Sequence, residues 1–169
     1  MKLLPLCTLL LGLGTFLTGC AGYQRGAAVP ESFRTVHVPA FENRTEYPMV
    51  GAIATQQFAD ALIEDGIFTL EDYDTARLKL QVVIHRCQTN SVRYDRNNVI
   101  VPNEYYLTLK ATVYIYDAQT GEVYVDGKTL SVTETMLTRN QYQTGVQDVL
   151  PRVSRKLAKV ILDELHAIQ

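Results

Sequence analysis

Apolar and polar residues alternate most strictly between Tyr105 and Tyr116. Tyr105, Leu107, Leu109, Ala111, Val113 and Ile115 fall on one side, and Tyr106, Thr108, Lys110, Thr112, Tyr114 and Tyr116 on the other. A period of two is that of a strand with one face buried. A second strand is predicted where Leu78, Leu80, Val82 and Ile84 alternate with Lys79, Gln81, Val83 and His85. The polar stretch from Gln88 to Glu104 then predicts a long hairpin tip. After Tyr116 the run Asp117 to Glu122 reads as a turn, with Gly121 available for a positive φ. The strand that follows changes parity. Val123 and Val125 face one way, Leu130 and Val132 the other, with Asp126-Gly127 between them. A one-residue β-bulge there reconciles the halves, because a slip of one residue otherwise turns every side chain over. Arg34 to Phe41 predicts a shorter strand with Val36 and Val38 on one side. Pro39 has no N–H, which places it at an edge or a strand end.

Two segments carry the helical period instead. Val50, Ala54, Phe58, Ala61 and Leu62 share one face of a helix over 50–65, and Gly66 suits its C′ position. Near the carboxyl end Val146, Leu150, Val153, Leu157, Val160 and Ile168 form a second stripe. Pro151 fits this helix if it begins near Asp148, where early N–H groups are unpaired anyway; otherwise it kinks a longer one. Arg152, Arg155, Lys156 and Lys159 make a basic ridge opposite the stripe, most simply a solvated face. The order β-α-β-β-β-α predicts the α+β class: a two-layer sandwich, its four-stranded and mainly antiparallel sheet carrying two helices on one face.

The first residues belong to no such element. Lys2 is the single charge before Cys20, and Leu3 to Leu17 is an apolar run of about 15 residues, the layout of a secretory signal. A spanning helix needs about 20 apolar residues, so a single-pass anchor is the weaker reading. Leu17-Thr18-Gly19-Cys20 resembles the lipobox of bacterial lipoproteins. That resemblance implies a signal over residues 1–19, a lipidated Cys20, and a tether over 20–33 ahead of a domain over 34–169. Two or more acyl chains hold a protein stably on a membrane without any spanning segment. Ala21 after the cysteine is similar to lipoproteins sent to the outer membrane.

With Lys2 removed, 15 basic residues stand against 18 acidic ones. That balance argues against bulk nucleic-acid binding. Cys7 leaves with the signal and Cys20 is lipidated, so Cys87 has no disulfide partner. Cys87 reads as a small, half-buried residue, since no nucleophile motif surrounds it. His37, His85 and His166 are scattered and give no metal-ligand spacing. Phosphate loops and paired catalytic carboxylates are lacking too. No cofactor, metal or catalytic residue is therefore predicted, and an enzyme is not expected.

Two groups of residues remain as candidate binding sites. Arg86, Arg93 and Arg96 lie in or beside the hairpin tip with Tyr94, and Val99 to Val101 follow. Arginine forks grip phosphate, and the valines and Ile100 suit acyl chain or a protein, so a phosphorylated lipid fits; a merely solvated hairpin is the competing reading. Tyr106, Tyr114 and Tyr116 share the polar face of the longest strand. Aromatic residues with one apolar and one polar end favour interfaces, so either a helix or a partner covers them.

The whole pattern resembles the LptE family of lipopolysaccharide-assembly lipoproteins. The residues that carry the resemblance are Cys20 with Gly22-Tyr23, then Val38-Pro39-Ala40-Phe41-Glu42-Asn43, the helix from Val50 to Gly66, Glu104-Tyr105-Tyr106-Leu107 and the terminal helix. Ala21 is inserted relative to the family's cysteine-glycine-aromatic start. The resemblance implies a non-enzymatic plug and assembly factor within an LptD-type β-barrel, lipid-anchored at the outer membrane and facing the periplasm or the barrel lumen. It also implies contact with lipopolysaccharide through basic residues. The alternative is another periplasm-facing lipoprotein, one that activates a peptidoglycan synthase or scaffolds a secretion pore.

Overall fold

The structure is a computed structural model and describes residues 29–95, 98–137 and 142–168. The expected signal, Cys20 and most of the expected tether lie outside these residues. Eight elements follow a short 3-10 turn at Glu31–Phe33: β1 (Thr35–His37), β2 (Glu42–Asn43), α1 (Val50–Asp65), β3 (Thr69–Leu70), β4 (Leu78–Asp95), β5 (Asn98–Asp117), β6 (Val123–Leu137) and α2 (Tyr142–His166).

All six strands form one sheet in the order β3-β1-β4-β5-β6, with β2 also on β4. The expected four-stranded sheet is thus corrected to six strands. β4, β5 and β6 pair antiparallel, while β1, β2 and β3 make parallel pairs. The difference has a local cause. The strand expected over 34–41 stops at His37, and the chain returns to β4 only after Pro39 and Ala40, as β2. β3 has only two residues, too few to carry a period. The hairpin tip is also shorter than expected, for the ladder runs on to Asp95 opposite Asn98.

Both helices lie on one face of the sheet. Leu107, Leu109, Ala111, Val113 and Ile115 point into that layer and are fully buried, as are Phe58 and Leu62 of α1 and Val153, Leu157 and Ile161 of α2. Val29 is buried and Phe33 packs on the same core, so the last part of the tether segment is joined to the domain. Phe33 meets Tyr124 edge-to-face at 5.9 Å.

The helix over 50–65 forms as predicted, and Gly66 ends it with a φ of 71°. Gly121 has a φ of 73° in the turn after β5. The bulge in β6 is also present. Val113 faces Lys128 but Ile115 faces Val125, which leaves one extra residue on β6; a second shift then sets Val123, 56% exposed, opposite Tyr116, so the expectation that Val123 shares the side of Val125 is corrected. Gly127 supplies the extra residue with a φ of 66°, a conformation that side chains with a Cβ rarely adopt.

The second helix begins at Tyr142 rather than near Asp148, and Pro151 lies inside it. Pro151 and Gln147, whose carbonyl loses its donor, are both exposed. Water can satisfy that carbonyl, which is why the helix tolerates the proline. Ser154 is different: it is 0% exposed and, among the described residues, its hydroxyl has no partner. An unpaired buried hydroxyl costs roughly 1–3 kcal/mol. Ser154→Ala is therefore expected to raise stability by about 1 kcal/mol, seen as a higher midpoint in thermal denaturation; an unchanged or lower midpoint would show that the hydroxyl is satisfied.

Candidate functional site

Among the described residues no helix lies on the other face of the sheet, and Arg86, Tyr106, Tyr114 and Tyr116 have outward positions there. Between Tyr106 and Tyr116, β5 presents tyrosine, threonine and Lys110 on this side. β4 presents Gln81, Val83, Arg86, Gln88 and Asn90, and β6 presents Thr129, Ser131, Thr133 and Thr135. No carboxylate stands among these outward positions. The face is rich in hydroxyls, and Thr108 and Thr133 share a hydrogen bond of 3.0 Å.

Arg86 reaches this face through a second bulge that the alternation did not reveal. Ile84 faces Ala111 and Arg86 faces Lys110, so His85 is the extra residue. Strict alternation after Ile84 would aim Arg86 into the core. The bulge instead turns Arg86 outward and sends Cys87 inward beside Leu109. Arg86 is exposed, and Lys110 directly opposite is half-buried. Like charges facing each other across a strand pair are destabilising.

Beside this doublet lies a polar cleft of about 420 Å³ lined by Arg44, Gln81, His85, Thr112, Tyr114 and Thr129, with Val83 at its floor. The Arg44 amide donates to the Ile84 carbonyl at 2.8 Å, which pins the loop after β2 to the rim. The Arg44 guanidinium pairs with Glu42 at 2.7 Å.

Of the three arginines of the sequence reading, two have described positions in the ladder. Arg86 is on the central face, and Arg93 is further along β4 opposite Glu104. Arg96 lies outside the described residues. The tyrosines form no single patch. Tyr106 and Tyr114 are eight residues apart on one strand, roughly 27 Å at strand rise. Tyr106 is 42% exposed. Tyr114 is half-buried, and a Cβ built on Gly127 would meet its ring at 3.3 Å, so this ring already covers the β6 bulge. Tyr116 stands opposite Lys79. Lys79 is buried, with its ammonium 2.9 Å from the centre of the Tyr73 ring.

The basic ridge is not a free cationic surface. Arg155 grips both carboxylate oxygens of Glu64 at 2.7 Å, and Lys156 pairs with Glu134 at 2.5 Å. Burial pushes the Cys87 thiol up to about 11, so it stays protonated at neutral pH. Among the described residues no group of three or more His, Cys, Asp and Glu is placed to hold a metal. No described helix is long and apolar enough to cross a membrane.

A sheet with one helix-covered face and, among the described residues, one open and hydroxyl-rich face defines a two-layer α+β domain. The family model for lipopolysaccharide assembly, LptE, matches residues 33–165, and the chain belongs to that family. Direct comparison with curated protein sequences gives no match. Among solved structures, the fold is similar to a Xanthomonas campestris protein of the DUF330 family (9% identical, covering 80% of this chain and 85% of that one, TM-score 0.58). It is also similar to a minor lipoprotein from Acinetobacter baumannii (15%, 80% and 94%, TM-score 0.52). Rare lipoprotein B from Shewanella oneidensis is a third (11%, 79% and 94%, TM-score 0.51). At these identities the similarity is one of fold.

Proposed function

We propose that this chain is an outer-membrane lipoprotein that serves lipopolysaccharide assembly as plug and assembly factor of an LptD-type β-barrel. Lipid on Cys20 holds it to the membrane, and the domain faces the periplasm or lies within the barrel lumen. Its helix-free sheet face meets the phosphorylated lipid. The observation that supports this reading is the Arg86–Lys110 doublet on the outward positions of β4, β5 and β6, where the nearest carboxylate of the neighbouring strand, Glu42, is already paired with Arg44. Two facing cations cost stability in the free protein, and a phosphate between them removes that cost. Arginine adds a planar fork that matches phosphate oxygens. Neighbouring threonines and the polar cleft offer hydrogen bonds to sugar hydroxyls. Arg93 and Arg96, the other two arginines of the sequence reading, would add the same phosphate-gripping chemistry. Exposed Tyr106 is suited to the barrel wall, together with Tyr116, while Tyr114 contributes less because its ring already covers the β6 bulge.

The test separates binding from folding. A hydrogen bond to a charged group is worth roughly 1.5–3 kcal/mol. Arg86→Ala with Lys110→Ala should therefore weaken binding to purified lipopolysaccharide by about tenfold or more. Thermal stability should stay level or rise, because the repulsion is gone. Unchanged affinity would remove the sheet face from the role. Arg93→Ala with Arg96→Ala tests the hairpin arm in the same assay. Recovery of the intact protein with a large β-barrel supports the partner, and recovery with a peptidoglycan synthase instead would sink it.

A further inference from the structure

Among the described residues β6 forms one margin of the sheet and pairs with β5 alone. From Lys128 to Leu137 its register with β5 is unbroken, so alternate residues turn their main-chain groups to the open side. Thr133 and Thr135 are on that side. Their carbonyls accept hydrogen bonds from Lys156 Nζ at 3.2 Å and from an Arg152 guanidinium nitrogen at 3.3 Å, both reaching over from α2. By the same alternation Thr129 and Ser131 face outward too, and among the described residues no hydrogen bond reaches their main-chain groups.

The sequence of this margin is self-complementary. A two-fold axis through Ser131 sets one β6 antiparallel to another, with Ser131 facing its copy. Thr129 then faces Thr133, Leu130 faces Val132, and Lys128 faces Glu134. The outward main-chain groups of 129, 131 and 133 meet in register. Two ion pairs form by symmetry, and an apolar pair lies on the helix side. This is the isologous geometry of a closed dimer.

In the single chain the same groups are held internally. Lys128 pairs with Glu164 at 2.7 Å. Glu134 is taken by Lys156 at 2.5 Å, with Arg152 at 4.0 Å. Joining two sheets edge to edge would also bring both α2 helices to the same side, with their cations between them. Charged side chains on an edge strand are a known defence against such pairing.

We propose that β6 is a pairing edge for a second copy of this chain, and that Arg152 and Lys156 form the latch that keeps it closed. The basic ridge of α2 thereby acts on the sheet margin rather than on solvent. The full chain in mild detergent, its mass read by light scattering, tests this. The wild type should be a monomer. Arg152→Ala with Lys156→Ala should tighten self-association by at least about tenfold and give a dimer. Adding Ser131→Pro should restore the monomer, since proline removes an outward N–H and leaves the β5 ladder intact. Arg152→Gln with Lys156→Gln keeps the stems and serves if the alanine pair loses its native circular dichroism. A monomer in whichever pair stays folded overturns the proposal, and so does a dimer indifferent to Ser131→Pro.

Discussion

Asp117→Ala is expected to remove about 3–5 kcal/mol of stability, the usual cost of breaking a buried ion pair from one side. Asp117 ends β5, points into the helix-covered layer and is 0% exposed. One carboxylate oxygen accepts from the amides of Gln119 at 2.7 Å and Thr120 at 3.0 Å. The other takes the Arg77 guanidinium at 2.6 Å. Arg77 in turn lies 5.2 Å from the centre of the Phe33 ring. One side chain therefore ties the β5–β6 turn to the start of β4 and to the amino-terminal segment. Burial alone would raise its carboxyl. The Thr120 and Gln119 amides and then the Arg77 guanidinium outweigh burial and hold it below the ordinary carboxylate range.

The pH dependence follows from that direction. A lowered folded value means that Asp117 contributes its full stability above the unfolded value of about 3.9, and loses it as pH falls through the folded one. Urea titrations of wild type and Asp117→Asn at several pH values should show a gap that is constant near neutrality and closes in acid. A gap independent of pH would show that the carboxylate charge contributes nothing.

Phe58→Ala should cost a similar amount, roughly 3–5 kcal/mol, as lost transfer energy and an unfilled cavity. Phe58 is 0% exposed in the middle of α1 and meets the Phe41 ring at 5.6 Å. Phe41 sits just ahead of β2, and its amide donates to Thr55 Oγ1 of α1 at 2.9 Å. The two rings are thus the seam between α1 and the parallel margin of the sheet. In a domain of this size the loss corresponds to a fall of roughly 10–20 °C in the thermal midpoint. Phe58→Leu keeps most of the volume and should cost less than half as much. Equal losses would mean that the site demands ring shape rather than volume.

The long elements were legible in the sequence because their burial is periodic. α1 has the expected ends, since Gly66 stops a helix already patterned by Phe58 and Leu62. The β6 bulge was legible because the parity of its valines and leucines changes around a glycine. The His85 bulge was not, although an arginine at an inward position after Ile84 is the signal for it. β2 and β3 are too short to show a period and exist only because β4 and β1 offer them partners. The Asp117–Arg77 pair joins residues forty positions apart, and alternation says nothing about which charges meet. The site was half legible: the polar face of β5 was plain, but pairing Arg86 with Lys110 required the register.

The start of the fold fixes where a tether can act. Val29 is buried, and Phe33 contacts Arg77 and Tyr124 beside the first residues of β4 and β6. From that pole β4 runs 18 residues to Asp95, a span of roughly 55–60 Å at strand rise. A chain tied to a membrane at its amino-terminal side is thus tied at one extremity. The far ends of β4 and β5 form the opposite extremity, so a tether pulling on Val29 and Phe33 would hold the domain at one end of that length and not at its middle.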